Sequence, residues 1–328
     1  MHLFSEPFVL KGGVTLHDRI FPGPMEGILE PVFCKILVRK KLVHSWITPF
    51  FRVTTGIPNF STMNKFLHIF DCEKMPVIVQ LMGTDIELVA KTALFINENF
   101  NIAGINLNFA CPSKTVCSKD AGGALLKNPN KMQRILNRIR DLCPDISLSV
   151  KIRMGYEDAN DIYNIADELK QSEIDFVFIH FRTITENYKK VSHRCRRFKN
   201  AKEAFNNIPL FLSGDILTLE DAIELGNSKC GDGLVIARGL IKTPWLIDDI
   251  RTYFNGDKII NNSSNNALNF YCDMLQLAIE DEQCWNKHYF AEIGRYIFGV
   301  KSDAFTLYKK VCSESPNNIL KYFQTELG

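Results

Sequence analysis

The stretch 103–115, AGINLNFACPSKT, joins a strand-like segment to an abrupt strand end, and this pattern is the most informative one in the chain. Its first half has the composition of a β-strand, and Pro112 ends that strand because proline lacks an N–H and has a fixed φ. Cys111 is therefore presented at the C-terminal end of the strand. A buried core cysteine is the simpler explanation, since free cysteine is among the most buried residue types. The polar residues Asn108 and 113–115 favour a functional site, because a hydrophobic core does not require them.

Strand-like segments recur along the chain and alternate with helical patterns. The predicted strands are Ile20–Met25, Trp46–Phe51, Val77–Met82, Gly104–Asn108, Leu148–Ile152, Phe176–His180, Leu210–Ser213 and Leu234–Ala237. The predicted helices between and after them are Pro31–Lys41, Ile86–Asn97, Pro129–Leu142, Asn160–Gln171, Leu219–Leu225 and Thr243–Tyr253. This alternation indicates an α/β protein with a (β/α)₈ TIM barrel. A doubly wound sheet is the alternative, but Pro24–Gly27 is not the glycine-rich dinucleotide turn that such a sheet carries after its first strand.

The two ends of the chain depart from this alternation. Residues 8–16 are typical of a small hairpin around Gly12 and Gly13. The asparagine-rich run 261–266 is typical of a linker, and the residues after it have a helical period and no convincing strand. We therefore expect a barrel domain with the hairpin over residues 1–255 and a small all-helical domain over residues 267–328.

Bulk composition limits the classes of protein that fit. Among the 328 residues, 46% are hydrophobic and 23% charged, as in an ordinary globular protein, and the formal net charge is only +2. Any nucleic-acid surface must therefore be a local patch. The ten cysteines form no C-x-x-C pair and have no disulfide or metal-ligand spacing, which favours a reducing cytosol. We expect a cytoplasmic protein, a monomer without an obligatory protein partner, with no membrane segment and no metal.

The run from Asn108 to Thr115, followed by Gly122–Leu126, resembles the tRNA-dihydrouridine synthases, which are flavin enzymes that reduce a uracil ring in tRNA. Other segments agree with the family in the same order: Pro24–Gly27, Gln80–Gly83, Val150–Arg153, His180–Thr183 and Ala237–Gly239. The matching segments extend over most of residues 20–245. The chain looks closest to the bacterial branch that acts on position 16 of the D-loop, as Phe51-Arg52 and Pro24–Leu29 indicate.

The strand ends carry the expected cofactor site. A lysine inside a strand, such as Lys151, is costly to bury unless it faces a charged partner. The turns after strands 7 and 8 are the usual phosphate site of a TIM barrel. The resemblance implies FMN as the cofactor and NADPH or NADH as its reductant. The cofactor contacts that we expect are Pro24, Met25, Glu26, Gln80, Lys151, His180, Ser213, Gly214, Asp215, Ala237 and Arg238.

The implied reaction adds a hydride to C6 of the uracil and a proton to C5. A positioned thiol can serve as the general acid, so we expect Cys111 to be the catalytic residue. The basic run 189–199, read as a loop after strand 6, is a candidate phosphate-backbone contact. The expected substrate or tRNA contacts are Arg52, Asn108, Lys114, Arg153, Arg182, Thr183, Arg194, Arg196, Arg197, Lys287 and Arg295.

Several positions depart from the family pattern, namely Phe181, Ser213 and Ala237 near the flavin and Glu292 and Gly294 in the helical domain. Two other functions are therefore alternatives. An FMN barrel could reduce a free pyrimidine or another small molecule, but the basic run and the helical domain disfavour it. A tRNA-binding protein without catalysis is the other, and the intact Cys111 and Lys151 disfavour that.

Overall fold

A computed structural model describes residues 3–70, 74–259 and 263–326 of the chain. Its strands are β1 (Phe8–Val9), β2 (Thr15–Leu16), β3 (Ile20–Pro22), β4 (Trp46–Ile47), β5 (Phe51–Arg52), β6 (Val77–Met82), β7 (Gly104–Phe109), β8 (Leu148–Arg153), β9 (Phe176–His180), β10 (Leu210–Ser213) and β11 (Gly233–Ile236). Strands β1 and β2 form the predicted antiparallel hairpin. The other strands form one parallel sheet in the order β3-β11-β10-β9-β8-β7-β6-β4, with β5 also paired to β6.

The α-helices lie between these strands and after them. They are α1 (Pro31–Arg39), α2 (Phe60–Leu67), α3 (Ile86–Asn99), α4 (Lys114–Cys117), α5 (Pro129–Leu142), α6 (Ile162–Leu169), α7 (Arg194–Phe205), α8 (Leu219–Ser228), α9 (Arg238–Lys242), α10 (Leu246–Asn255), α11 (Ser263–Glu280), α12 (Lys287–Phe298), α13 (Asp303–Val311) and α14 (Pro316–Glu326). Strands β3 and β4 end the sheet order and lie side by side, so the sheet curls into a nearly closed barrel. The predicted TIM barrel with a helical C-terminal region is confirmed. Within the described residues, no helix has the length and apolar character that crossing a membrane requires.

Alternation along the strands fills the barrel interior in two layers. Phe21, Phe176, Phe178 and Phe211 are fully buried, and their rings pack edge to face in the half of the barrel under the hairpin. Because side chains two residues apart point to the same side of a strand, the next inward positions carry the polar residues at the C-terminal ends. The aromatic layer therefore closes one end of the barrel, and the opposite end keeps room for a ligand.

Proline explains where the first two predicted strands were drawn too long. β3 ends at Pro22 instead of Met25, and Pro49 separates β4 from β5 in the predicted strand Trp46–Phe51. Proline cannot donate to a sheet ladder, so pairing stops at these points.

Four helices of the barrel region were not predicted, and others have different limits. Helices α2, α4 and α9 were missed, and α7 begins inside the basic run that was read as a loop. The predicted helix Asn160–Gln171 is shorter, with a 3₁₀ turn on either side of α6. The predicted linker 261–266 is also too long, because α11 begins at Ser263, while 261 and 262 lie outside the described residues.

The C-terminal helices dock on the barrel near α1. The ammonium of Lys35 in α1 forms an ion pair with Asp281 at 2.8 Å, and Arg39 pairs with Glu280 at 3.1 Å. The hydroxyl of Tyr289 in α12 donates a hydrogen bond to the carbonyl of Ile28, in the loop after β3, at 2.7 Å. This hydrogen bond ties the helical region to the loop that borders the barrel mouth.

Replacing Tyr289 with Phe should therefore lower the free energy of unfolding by about 1 kcal/mol, because the carbonyl of Ile28 loses the hydroxyl donor and keeps only the N–H of Glu30, while the ring keeps its packing. The shift in the urea midpoint measures this change. Tyr253→Phe is the matched control, since the Tyr253 ring is 42% exposed, and it should leave the midpoint unchanged. Equal midpoints for both variants would show that this hydrogen bond does not hold the two parts together.

Candidate active site

A cavity of about 390 Å³ opens at the C-terminal ends of the barrel strands. Its walls include the predicted catalytic residue Cys111 and two of the predicted substrate contacts, Asn108 and Arg153. They also include all the predicted cofactor residues except Gln80, namely Pro24, Met25, Glu26, Lys151, His180, Ser213, Gly214, Asp215, Ala237 and Arg238. The structure therefore brings together residues from six of the barrel strands or the turns that follow them.

Asn108 fixes the loop that carries Cys111. Its Oδ1 accepts hydrogen bonds from the backbone N–H groups of Ala110 and Cys111, both at 3.0 Å. Its Nδ2 donates to Oε1 of Gln80 at 2.7 Å, and Gln80 in turn donates to Asn106 at 2.8 Å. Because Gln80 is fully buried behind Asn108 and does not line the cavity, its contacts in this structure orient the Cys111 loop.

Two cations in the cavity wall have no neutralising partner. Among the described residues, no carboxylate forms an ion pair with Lys151 or Arg153, and Arg153 donates only to the carbonyls of Ala110, Thr183 and Asn187. Burial, together with the charge of Arg153, lowers the pKa of Lys151 to about 8. Burial also lowers the pKa of Arg153 to about 10. Such a site should bind an anion, because an opposite charge would offset the cost of burying two cations.

His180 is a neutral imidazole that can donate into the cavity. Burial and the surrounding cations, with Arg153 and Lys151 foremost, hold its pKa well below the usual value. Its Nδ1 accepts the backbone N–H of Arg182 at 3.2 Å, so the single ring proton lies on Nε2. Gly214 has a φ of +110°, and a Cβ there would lie 2.9 Å from Nε2. Glycine at 214 therefore permits the turn and leaves Nε2 accessible.

Asp215 organises the positive side of the same cavity. Its carboxylate accepts two hydrogen bonds from the buried Arg182 and one, at 2.6 Å, from Arg238. Burial alone would raise the pKa of Asp215, but the hydrogen bonds and charges of the two arginines lower it below its usual value. Two guanidinium groups around one carboxylate leave a net positive charge at the ends of β10 and β11.

The departures Phe181, Ser213 and Ala237 do not obstruct the cavity. Phe181 is 1% exposed, turns away from the cavity and packs edge to face on Phe198 of α7. Ser213 and Ala237 are small residues that form part of the cavity wall.

Other predicted contacts lie around the cavity or away from it. Arg52 forms an exposed ion pair with Glu26 at the rim, at 3.2 Å. Lys114 is exposed at the start of α4, and Thr183 is buried. Lys287 and Arg295 are exposed residues of α12.

The basic run needs a correction, because it is not an open loop. Helix α7 begins at Arg194, whose guanidinium forms ion pairs with Asp221 and Glu224. Arg197 pairs with Glu186, which lowers the pKa of Glu186 to about 2. Asp221 and Glu224 are distant in sequence, and Glu186 lies on a neighbouring turn. These three carboxylates neutralise Arg194 and Arg197, two of the three arginines. Arg196 remains exposed to solvent.

Tyr188 and Tyr296 are wall residues that the sequence did not identify as part of the site. Tyr188 is 59% exposed, and the guanidinium groups of Arg153 and Arg238 lie 5.6 and 5.4 Å from its ring centroid. In the sequence, the position of Tyr188 directly before the basic run 189–199 was the one feature that could have indicated its place in the site. Tyr296 comes from α12 in the helical region, and no local pattern could have placed it at the barrel mouth. The remaining missed wall residues are mainly apolar, including Ile28, Phe50, Ile216, Leu217 and Ile241.

Comparison with known families identifies the family of this chain. The sequence model of the dihydrouridine synthases matches residues 22–305, which is most of the chain. The chain belongs to the dihydrouridine synthase family. It is therefore an oxidoreductase that forms dihydrouridine with a flavin, and the resemblance seen in the sequence to the tRNA-dihydrouridine synthases is confirmed.

Similar curated proteins include members of one branch of this family. The tRNA-dihydrouridine(16) synthase of Neisseria meningitidis serogroup B is 27% identical over 325 residues, covering 94% of this chain and 96% of the relative. The tRNA-dihydrouridine(16) synthase of Vibrio parahaemolyticus is 30% identical over 242 residues, covering 70% of this chain and 72% of the relative.

Solved structures agree on the fold. The old yellow enzyme from Trypanosoma cruzi has a TM-score of 0.55 at 10% sequence identity, covering 80% of this chain and 94% of its own. A variant of NCR from Zymomonas mobilis has a TM-score of 0.58 at 14% identity, with 80% and 94% covered. At such low identity these likenesses support the barrel architecture alone.

The lowered pKa of Lys151 makes a prediction about stability and pH. The unfolded chain binds a proton at this lysine up to an ordinary pKa of about 10.5, whereas the folded chain releases it near 8. The free energy of unfolding is therefore highest above about pH 10.5, where Lys151 is neutral in both states. It decreases as the pH falls through 8, because only the unfolded chain holds the proton without cost. At pH 7 the charged lysine should cost the flavin-free protein up to about 3 kcal/mol.

Lys151→Met should consequently make the flavin-free protein more stable than the unmodified chain at pH 7, with a smaller advantage at pH 10. Urea unfolding at both pH values measures the difference. Lys114→Met is the control, because Lys114 is an exposed lysine near the same loop. An advantage that does not change with pH would mean that the charge of Lys151 is already compensated.

Proposed function

We propose that this dihydrouridine synthase binds FMN in the barrel cavity, takes reducing equivalents from NADPH and reduces uridine 16 in the D-loop of tRNA. The observation that carries the proposal is the pair of unneutralised cations, Lys151 and Arg153, beside a neutral His180 and the thiol of Cys111. The names of the Neisseria and Vibrio relatives support position 16.

The residues of the cavity fit FMN. Lys151 would hold the negative charge that a flavin acquires when it is reduced, because a cation in a low-dielectric wall stabilises such a charge strongly. Arg238, held by Asp215, would bind the phosphate together with the backbone of the turns at Ser213 and Gly214. Met25 and Ala237 would pack against the apolar parts of the ring system.

When bound, FMN supplies the hydride that adds to C6 of the uracil. Cys111 donates the proton to C5, as a general acid on a loop whose position is fixed by Asn108. His180 donates from Nε2 to an oxygen in the cavity. Tyr188 and Tyr296 border the mouth, where an aromatic ring can stack on a base that has left the helix of the tRNA.

We also propose that the enzyme acts as a monomer, since residues of this chain, from Pro24 after β3 to Arg238 of α9 and Tyr296 of α12, already line the cavity. Since its substrate is tRNA and its reductant a nicotinamide, we also propose that it acts in the cytoplasm.

The proposal is tested with an unmodified tRNA transcript, FMN-loaded protein and NADPH. Dihydrouridine should appear at position 16, as mapped by primer extension after alkaline cleavage, and NADH should support a slower reaction. Dihydrouridine at another D-loop uridine would contradict the assigned position, and oxidation of NADPH without any dihydrouridine would contradict the substrate.

Cys111→Ala should keep FMN bound and reducible while slowing dihydrouridine formation by roughly 10²–10⁴, the usual cost of losing a general acid. Cys117→Ala is the matched control. Cys117 is a neighbouring thiol that donates a hydrogen bond to the carbonyl of Cys111 and does not line the cavity. Turnover of the Cys111 variant within a few-fold of the unmodified enzyme would remove Cys111 from the mechanism.

The exposed Arg295, next to Tyr296 in α12, is the cation that we expect to contact a tRNA phosphate at the mouth. Arg295→Gln should weaken tRNA binding and reduce the slope of log affinity against log salt by about one, without changing the flavin content. Lys170→Gln is the control, since Lys170 follows α6 towards the other end of the barrel and pairs with Asp167. Identical slopes for both variants would place the tRNA on another surface, such as the one around Arg196 and Lys114.

A further inference from the structure

A second cluster of ligand-type side chains lies at the opposite end of the barrel from the cavity. Asp18 lies two residues before the start of β3, with His17 next to it, and His44 lies two residues before the start of β4. These are the two strands that end the sheet order, and they lie side by side without a pairing ladder between them in the described part of the chain. The cluster therefore sits at the seam where the barrel closes. The N-terminal ends of barrel strands usually serve stability, not catalysis.

The spacing of the three side chains matches a tetrahedral metal site. Nδ1 of His44 lies 3.4 Å from Oδ2 of Asp18, and Nδ1 of His17 lies 3.7 Å from the same oxygen. One ligand atom from each residue lies within 4.8 Å of the other two. Zinc bonds to nitrogen and oxygen of roughly 2.0–2.2 Å, at tetrahedral angles, separate ligand atoms by about 3.3–3.6 Å. Small side-chain adjustments would bring all three atoms to that distance.

One of these ligand atoms has no other partner. Nδ1 of His44 is buried, and within the described residues its one polar contact is the 3.4 Å approach to Oδ2 of Asp18, which is not a well-formed hydrogen bond. A buried polar atom of this kind is costly unless something satisfies it. The ring of His17 lies 4.3 Å from that of His44, and its side chain is 65% exposed, so a metal ion can reach the pair from solvent.

The charge around Asp18 also suits a cation. The carboxylate is 2% exposed; its Oδ1 accepts the N–H of Ile20, and its Oδ2 accepts Nε of Arg251, both at 2.9 Å. Oδ2 retains a second lone pair for a metal. Arg251 is itself paired with Asp248 at 2.8 Å, so the two carboxylates and the guanidinium sum to one negative charge. A divalent ion bound here would therefore leave the site with a net charge of only one positive unit.

We propose that His17, Asp18 and His44 bind one Zn²⁺ ion, which joins the ends of β3 and β4 and closes the barrel at its seam. Two imidazoles and one carboxylate are ligands that zinc accepts, and a water molecule would complete the tetrahedron. The ion stabilises the fold and takes no part in the reduction, because the cavity lies at the other end of the strands.

The first experiment measures metal binding to the full-length, flavin-loaded protein. Zinc titration should give one equivalent bound at this site, and Co²⁺ should give the visible absorption of a tetrahedral nitrogen and oxygen site without thiolate charge transfer. The absence of that charge transfer separates this site from ions held by the cysteines. Mg²⁺ should not compete, because it prefers oxygen ligands in octahedral geometry.

Variants then locate the ion. Loss of a residue that merely orients a ligand costs about 10–100-fold in metal affinity, so His44→Gln should cost at least as much. His17→Gln should have a similar effect, and because His17 is exposed this variant should fold even if His44→Gln does not. His68→Gln, at an exposed histidine elsewhere, is the control and should bind zinc like the unmodified chain.

A second readout is thermal unfolding, since an ion that binds only the folded chain raises its stability. Zinc should raise the midpoint of the unmodified protein and of His68→Gln, and not that of His17→Gln or His44→Gln. Flavin content and dihydrouridine formation should be the same in all four proteins, so the result is independent of the proposed substrate. Failure of the unmodified protein to bind zinc, or unchanged binding by both His17→Gln and His44→Gln, would overturn the proposal.

Discussion

The active end of this barrel depends on positive charge that the protein does not neutralise. Lys151 and Arg153 occupy alternate, inward positions of β8, and neither has a carboxylate partner among the described residues. Burial, together with these cations, lowers the pKa of His180 and keeps it neutral, and the two cations give the cavity its preference for an anion. The fold tolerates this cost because the inward positions beneath the polar layer are fully buried and mainly apolar, with Phe21, Phe176, Phe178 and Phe211 at their centre. A rigid aromatic layer at one end thus supports an electrostatically unfavourable site at the other.

Carboxylates and amides around this charge act as positioning groups. Asp215 holds Arg182 and Arg238, and Asn108 holds the backbone of the Cys111 loop. The same principle applies to the basic run near α7. Ion pairs of Arg194 and Arg197 with neighbouring carboxylates hold this helix in place beside the mouth. A basic residue on this face of the barrel can therefore either bind an anionic ligand or hold a neighbouring element in place through an ion pair. Which of the two it does depends on whether a carboxylate lies close enough in space to pair with it.

The helical C-terminal region completes the site. Tyr289 donates a hydrogen bond to the loop after β3, and about two turns later in α12 Tyr296 reaches the cavity wall. Docking of this region and the shape of the barrel mouth are consequently coupled. The cluster of His17, Asp18 and His44 at the seam concerns the opposite end, where β3 and β4 meet. Stability and chemistry are thus separated along the strand direction, as the barrel geometry allows.

Local sequence patterns were sufficient to assign the family, the barrel and much of the cavity wall, because parallel strands in a barrel bring their C-terminal ends together and the motif around Cys111 is long and ungapped. They were not sufficient for the limits of the strands near Pro22 and Pro49, where pairing stops for lack of a donor. Only the tertiary structure showed that Gln80 lies behind Asn108, that Arg194 and Arg197 are paired, and that a tyrosine of α12 enters the wall. These facts depend on contacts between residues far apart in the chain, and no local pattern encodes them.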